Sequence, residues 1–263
     1  MTEKGWWRYI FQISEEELLK AYETFPEGFE IIEQTSTGLK IAIYTKEDRE
    51  FPFTIVEKQK VEPKDWKEYY KPIKVGKSIV IVPPWEVANN SFVQKELIVI
   101  NPGKAFGTGL HESTQLCLEL MEELDFKGKK VLDVGSGSGI LSIYAAKKGA
   151  DKVVAVDIDP FAVEETFENA KANKVEEKIE AFQGSAKDVE GTFDVVIANL
   201  EIHIFREVLK DIAPKIGGVG IFSGLYRVDE LIEFLQMANK LGLKPKRVVE
   251  KKDWYSVVIE CLM

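Results

Sequence analysis

A chain of 263 residues with 45% hydrophobic content can bury one sizeable core or two, and a formal net charge of -9 argues against a broad nucleic-acid surface, because phosphate contacts need a basic patch. No apolar run reaches the roughly 18 residues of a membrane-spanning helix, and the Met1–Trp6 segment lacks the basic and apolar regions of a signal peptide, so a cytoplasmic protein is expected. The 2 cysteines, Cys117 and Cys261, have no paired metal-ligand spacing, so neither a disulfide framework nor a zinc site is expected, and no metal is assigned.

Residues 1–62 read as a small α+β unit. An aromatic-rich strand from Trp6 to Ile13 runs into Ser14-Glu15-Glu16-Glu17, which has the spacing of a capping box, and then into a helix with Leu18, Tyr22 and Phe25 on one face. Strands are predicted near Phe29–Gln34 and Leu39–Tyr44, joined by the turn signal Ser36-Thr37-Gly38, and Thr54–Val61 offers a fourth. Between Tyr44 and Thr54 there is too little chain for the second helix of a complete ferredoxin-like fold. Residues 63–93 are irregular, with Pro63, Pro72, Pro83 and Pro84, and read as a linker that partly docks on its neighbours.

From residue 94 to 263 strands and helices alternate, which predicts a doubly wound, mostly parallel sheet with helices on both faces. A helix from about His111 carries Leu116, Cys117, Leu120, Met121 and Leu124 at helical spacing. Strand 131–134, helix 139–148 and strand 152–157 form the first crossover, followed by a helix opened by Pro160 with Val163, Phe167 and Ala170 on one face. Strands near Ile179–Phe182 and Phe193–Ala198, helix 201–213, a strand at Gly218–Phe222 and a helix from Asp229 to Leu241 come next. The runs Pro245–Glu250 and Trp254–Cys261 are too close for an intervening helix and should pair antiparallel, completing a seven-stranded sheet.

The stretch Val131-Leu132-Asp133-Val134-Gly135-Ser136-Gly137-Ser138-Gly139-Ile140 places an acidic, triple-glycine turn between a buried strand and a helix. Glycines there let a ligand approach the backbone at a helix N-terminus. Asp157, ending the next apolar run, is placed to take both hydroxyls of a ribose. Position 140, where a dinucleotide fingerprint has its third glycine, holds isoleucine, which disfavours a pyrophosphate cradle and an NAD-dependent oxidoreductase. Asp133 suits a ligand carrying positive charge. The pattern resembles the first motif of class I S-adenosylmethionine-dependent methyltransferases, and with the seven strands it implies their Rossmann-like sheet. Ligands in such sheets bind at the carboxyl ends of the strands, where Gly135, Asp157, Ser185 and Asn199 fall. Asn199 has two readings from position alone: acceptor of a hydrogen bond from an incoming amine, or cap of the helix that follows.

A second segment, Asn101-Pro102-Gly103-Lys104-Ala105-Phe106-Gly107-Thr108-Gly109-Leu110-His111-Glu112-Ser113-Thr114, closely resembles the signature of the PrmA family, which methylates large-subunit ribosomal protein eleven. Asp157-Ile158-Asp159-Pro160, Asn199 and Ser223-Gly224 extend the resemblance over most of residues 94–226, and Asp65-Trp66 and Pro83-Pro84-Trp85 resemble the family's linker. By that resemblance the cofactor is S-adenosyl-L-methionine and Thr114, Gly135, Asp157 and Asn199 contact it. Asp133, Gly137, Ile158 and Ser185 are expected beside them, and Phe106 and Thr108 belong to a lid over the cofactor, although Phe106 also reads as a plain core residue. The partner implied is ribosomal protein eleven, free or ribosome-bound, methylated on lysine side chains and its N-terminal amine. The 1–62 unit would then recognise that substrate. Asn199 and the carbonyl of Leu200 would orient the amine, whose ionised form must lose a proton before attack. Where the family has Ile-Leu-Ala after its asparagine, this chain has Leu200-Glu201-Ile202, an acid beside the acceptor site. Of the two histidines, His111 is expected to fix the lid loop and His203 to lie on a helix surface. A class I methyltransferase of RNA or a small molecule, and a noncatalytic binding module, are the alternatives.

Overall fold

The computed structural model describes residues 6–14, 16–25, 28–35, 38–61, 71–88, 95–102 and 107–260. The chain divides into two compact units, Met1–Tyr69 and Tyr70–Met263.

In the first unit, β1 (Trp6–Ile13), α1 (Leu18–Thr24), β2 (Glu30–Thr35), β3 (Gly38–Thr45) and β4 (Ile55–Val61) form an antiparallel sheet of order β2-β3-β1-β4. Alternation along β1 sends Tyr9, Phe11 and Ile13 to one face, where Ile41 and Ile43 of β3 and Ala21 and Phe25 beside α1 close the core. Half of the expected capping box forms: the Ser14 N–H donates to the Glu17 carboxylate at 3.0 Å, one residue ahead of the helix. Tyr22, expected in the core, is exposed, because α1 is only 7 residues long and the ring leans on Phe29 at 4.9 Å instead. No helix forms between β3 and β4. Phe51 packs edge-on against Tyr9 and Phe11 at 5.0 and 5.4 Å, and it and Phe53 cover the sheet there.

The second unit begins well before residue 94. Within the stretch read as a linker, β5 (Ile73–Val75) and β6 (Ile79–Val82) pair antiparallel, and β7 (Glu96–Val99) adds parallel to β6. Val75, Ile79 and Ile81 are buried in one of the unit's two main cores, so these short strands belong to its body. Prolines flank them without entering them, which is why the segment looked irregular.

The main sheet follows: α2 (Glu112–Met121), β8 (Lys130–Val134), α3 (Ile140–Lys147), β9 (Lys152–Asp157), α4 (Pro160–Ala172), β10 (Ile179–Gln183), β11 (Phe193–Asn199), α5 (Ile202–Ile212), β12 (Ile216–Tyr226), α6 (Arg227–Lys240), β13 (Pro245–Lys251) and β14 (Trp254–Glu260). The order is β10-β9-β8-β11-β12-β14-β13, parallel through β12 and antiparallel at β14 and β13. This is the doubly wound α/β sheet expected. Its strands are apolar on both faces: Val131 joins the core under α2 and α3, Leu132 the core under α5 and α6.

α4 buries only part of the face that periodicity suggested, Ala170 but not Phe167. Phe167 is exposed with Lys171 Nζ 4.3 Å over its ring, while Ala162, Thr166, Asn169 and Ala170 point inward. Small and polar residues win that face because it packs against the glycine turn. Thr166 Oγ1 donates to the Gly137 carbonyl at 3.0 Å and Asn169 Nδ2 to the Ser138 carbonyl at 2.9 Å.

Candidate active site

β8 leaves the sheet through Gly135, Gly137 and Gly139, with φ of 75°, 53° and 78°, a left-handed path that costs a side-chain-bearing residue about 1–2 kcal/mol each. The Gly135 and Ser136 N–H groups donate to the Val156 carbonyl at 2.8 and 3.1 Å, which ties the turn to β9. Asp157, at the end of β9, accepts from the Gly137 N–H at 2.9 Å on Oδ2 and from the Asp159 N–H at 3.0 Å on Oδ1. A carboxylate has about four acceptor positions, so two remain for a ligand.

Above the carboxyl edge of the sheet lies a cavity of about 340 Å³, within the range of small-molecule sites. Its first half comes from the ends of β8, β9 and β10: Gly135, Gly137, Asp157, Ile158, Gly184 and Ser185. The second comes from the ends of β11 and β12, from the start of α5 and the residues before it, and from the start of antiparallel β14: Asn199, Leu200, Glu201, Ile204, Gly224 and Trp254, with His111 closing the wall. An acid beside a glycine turn on one side and a mostly apolar wall on the other suit a nucleoside-bearing ligand meeting a second molecule.

The structure thus gathers Gly135, Gly137, Asp157, Ile158, Ser185, Asn199 and Leu200 around one cavity. Asp133, Thr114 and Thr108 are placed differently. Asp133 is fully buried behind the turn, where Oδ2 accepts from the Ser142 N–H at 3.1 Å and hydroxyl at 2.6 Å while Oδ1 has no hydrogen-bond partner. Burial pushes its carboxyl up to about 6. Thr114 is also fully buried; it stands behind Asn199, accepting the Asn199 Nδ2–H on Oγ1 at 3.3 Å. Thr108 faces a separate small cleft against Ile81, Val82 and Ile100, because Gly109 (φ 90°) turns the chain so tightly that a Cβ there would lie 2.3 Å from Ile81. Its loop still reaches the glycine turn, with Ser138 Oγ donating to the Gly107 carbonyl at 2.7 Å. Phe106 lies outside the described residues.

The two readings of Asn199 separate. The residue capping α5 is Glu201, and the Asn199 amide goes to Thr114. Asn199 Oδ1 is buried with no hydrogen-bond partner, on a residue that lines the cavity. Leu200 is wedged between glycines: a Cβ on Gly135 would meet its side chain at 2.4 Å, and one on Gly224 its carbonyl oxygen at 2.4 Å. Glu201 stands exposed at the rim with His203 Nδ1 3.2 Å away.

Sequence reasoning did not find Trp254, Ile204 or Gly224 as cavity residues, and it gave His111 only a loop-fixing role. His111 caps α2, its Nδ1 accepting the Ser113 N–H at 3.3 Å, and its ring meets Trp254 edge-on at 4.3 Å. That bond requires an unprotonated Nδ1, and burial also holds the imidazole below its ordinary pKa, so the ring is neutral near pH 7. Trp254 had a local sign only in the hairpin signal. That β14 inserts beside β12, bringing its first residue to the carboxyl edge, is a long-range pairing.

Among proteins of known sequence, the chain is 44% identical over 253 residues to the ribosomal protein L11 methyltransferase of Aquifex aeolicus, covering 96% of this chain and 97% of that protein. It is 34% identical over 250 residues to the enzyme of the same name from Bacillus cereus, covering 92% and 79%. The crystal structure of a ribosomal protein L11 methylase from Lactobacillus delbrueckii subsp. bulgaricus superposes with a TM-score of 0.63 at 32% identity, over 73% of this chain and 97% of that one. The family model for ribosomal protein L11 methyltransferase (PrmA) matches residues 9–261, and with the glycine turn, Asp157 and Asn199 assembled around one cavity, the chain belongs to that family.

Proposed function

We propose that the protein transfers methyl groups from S-adenosylmethionine to amino groups of ribosomal protein L11, both lysine side chains and the N-terminal amine, with Asn199 and Leu200 as the amine-orienting groups. The observation that carries this reading is Asn199, which lines the same cavity as Asp157 and an apolar wall and whose buried Oδ1 has no hydrogen-bond partner. Leaving such an atom unpaired costs about 1–3 kcal/mol, so the site favours a molecule that brings an N–H there.

The residues fit the cofactor. Asp157 retains acceptor capacity for two ribose hydroxyls, Ile158 and Ser185 line the cavity beside it and would meet the base, and the Gly135–Gly137 backbone would admit the ligand closely. Asp133 would act on it through space from behind the turn. When bound, S-adenosylmethionine supplies a methyl group on a sulfonium, an electrophile that needs no further activation.

The chain's task is then to deliver a neutral amine in line. Glu201 at the rim attracts the ammonium form, since an exposed carboxylate favours cations near it. Inside, Ile204, Val208 and Trp254 replace water with apolar surface, which favours loss of the proton. Asn199 Oδ1 and the Leu200 carbonyl accept the remaining N–H bonds and aim the lone pair, a contribution of proximity rather than of base catalysis. The unit of β1 to β4 reads the ribosomal protein, and a substrate belonging to the ribosome places the enzyme in the cytoplasm.

Intact mass of purified L11 after incubation with enzyme and cofactor tests the proposal. Stepwise gains of about 14 Da per methyl are expected. Asp157→Ala should weaken cofactor binding about 10- to 100-fold by calorimetry, the loss of one or two charge-assisted hydrogen bonds. Asn199→Ala should cut turnover more than it cuts cofactor affinity. Cofactor binding with no mass gain on L11 would reject this substrate and favour an RNA or small-molecule acceptor.

A further inference from the structure

The aromatic wall of the cavity bears on how many methyl groups one amine receives, a question that rests on Asn199 being the amine's hydrogen-bond acceptor. A neutral primary amine has two N–H groups for Asn199 Oδ1 and the Leu200 carbonyl. In each transfer the nitrogen lone pair forms the new N–C bond and the electrons of the broken C–S bond return to sulfur as a thioether, and after each of the first two an N–H proton leaves to solvent. A dimethylated amine therefore has no N–H left, and its own transfer yields a quaternary ammonium with no proton to release. Polar orientation fades from one turnover to the next. Apolar and aromatic contact then has to hold the later acceptors, and the positive charge that develops on nitrogen as the N–C bond forms gains about 0.5–2 kcal/mol over an aromatic face.

The cavity presents such a surface, and the fold goes to some length to hold it there. Trp254 is flanked by His111 at 4.3 Å and by Tyr226 at 4.9 Å. The neutral His111 ring adds no charge that would repel an ammonium. Trp254 follows Lys252 and Asp253, whose φ values are 50° and 64°, and the Asp253 carbonyl accepts the N–H of Arg227, itself at 64°, at 2.7 Å. Three of the four non-glycine residues with positive φ among the described residues thus meet at this corner. Lys252 and Asp253 are the central pair of the β13–β14 turn, whose geometry takes positive φ at both positions and sets where Trp254 starts its strand. Lys252 is further pinned to Glu112, next to His111, at 2.9 Å.

We propose that Trp254, backed by His111, is a specificity-determining residue that retains mono- and dimethylated amines, so that the enzyme carries an acceptor through successive methyl transfers. The test compares the wild-type protein with Trp254→Leu and Trp254→Phe on two acceptors: unmodified L11, and L11 whose amines have been reductively dimethylated. Mass spectrometry follows each methyl gain over time. Trp254→Leu should lower kcat/KM on dimethylated L11 by about 10-fold more than on unmodified L11, with mono- and dimethyl species accumulating. Trp254→Phe, which keeps an aromatic face, should restore most of the difference. Equal slowing on both acceptors, an unchanged product distribution, or a wild-type enzyme that stops after one methyl overturns the proposal. Failure of the Asn199 assignment shows separately, as an undiminished first transfer by Asn199→Ala.

Discussion

Asp133 illustrates how a motif residue acts from behind a site. Its carboxyl is raised from 3.8 to about 6 by burial, with Asp157 adding to the rise and the Ser142 hydrogen bonds opposing it. The folded chain therefore binds this proton more tightly than the unfolded chain. At pH above about 6 the fold carries the penalty of a buried charge, and stability from this group returns as pH falls toward 4, by up to about 3 kcal/mol. Urea denaturation of the cofactor-free protein at pH 7.5 and pH 5 should show this contribution as a pH dependence that Asp133→Asn reduces. Thr114 also acts indirectly. Thr114→Val keeps the shape but removes the acceptor that fixes the Asn199 amide, and should lower kcat several-fold while leaving cofactor affinity nearly unchanged by calorimetry. Both residues were legible as motif members. Their depth was not, because glycine spacing marks a turn without saying which side chains its neighbouring helices will cover.

At the level of elements, the pattern read well wherever a strand is apolar on both faces, as along β8, β9 and β11, whose buried runs were each found within a residue or two. It failed at α4, where Thr166 and Asn169 hold the glycine turn and displace Phe167 outward, since a hydrophobic pattern is blind to inward hydrogen bonds. It failed again at β5 and β6, which are too short to show alternation. The β13–β14 hairpin was legible as a pair, but its two-residue turn carries Lys252 and Asp253 where asparagine and glycine are favoured. Replacing both with Asn-Gly should raise stability by about 0.5–1 kcal/mol, after the loss of the exposed pair with Glu112, read from the denaturation midpoint at constant slope.

For the whole molecule, the two units each have their own core, and the larger contains all of the cavity residues. A protein starting at Tyr70 should bind S-adenosylmethionine within a few-fold of the full chain's affinity and lose most methylation of L11, if the first unit reads the substrate. Calorimetry and the mass assay separate these effects. The α/β class and the cavity wall from Gly135 to Ser185 were readable because strand, turn, helix, strand and acid follow one another without interruption. The rest of the cavity wall was not, because β14 joins the sheet out of sequence and α2 reaches across from another part of the chain.

That asymmetry has an evolutionary reading. Gly135 to Ser185 form one continuous stretch, whereas Asn199, Trp254 and His111 arrive from three separate ones. A lineage can therefore inherit its methyl donor as a block and change its clientele piecemeal, by substitution in a hairpin or a helix start that never touches the donor's seat.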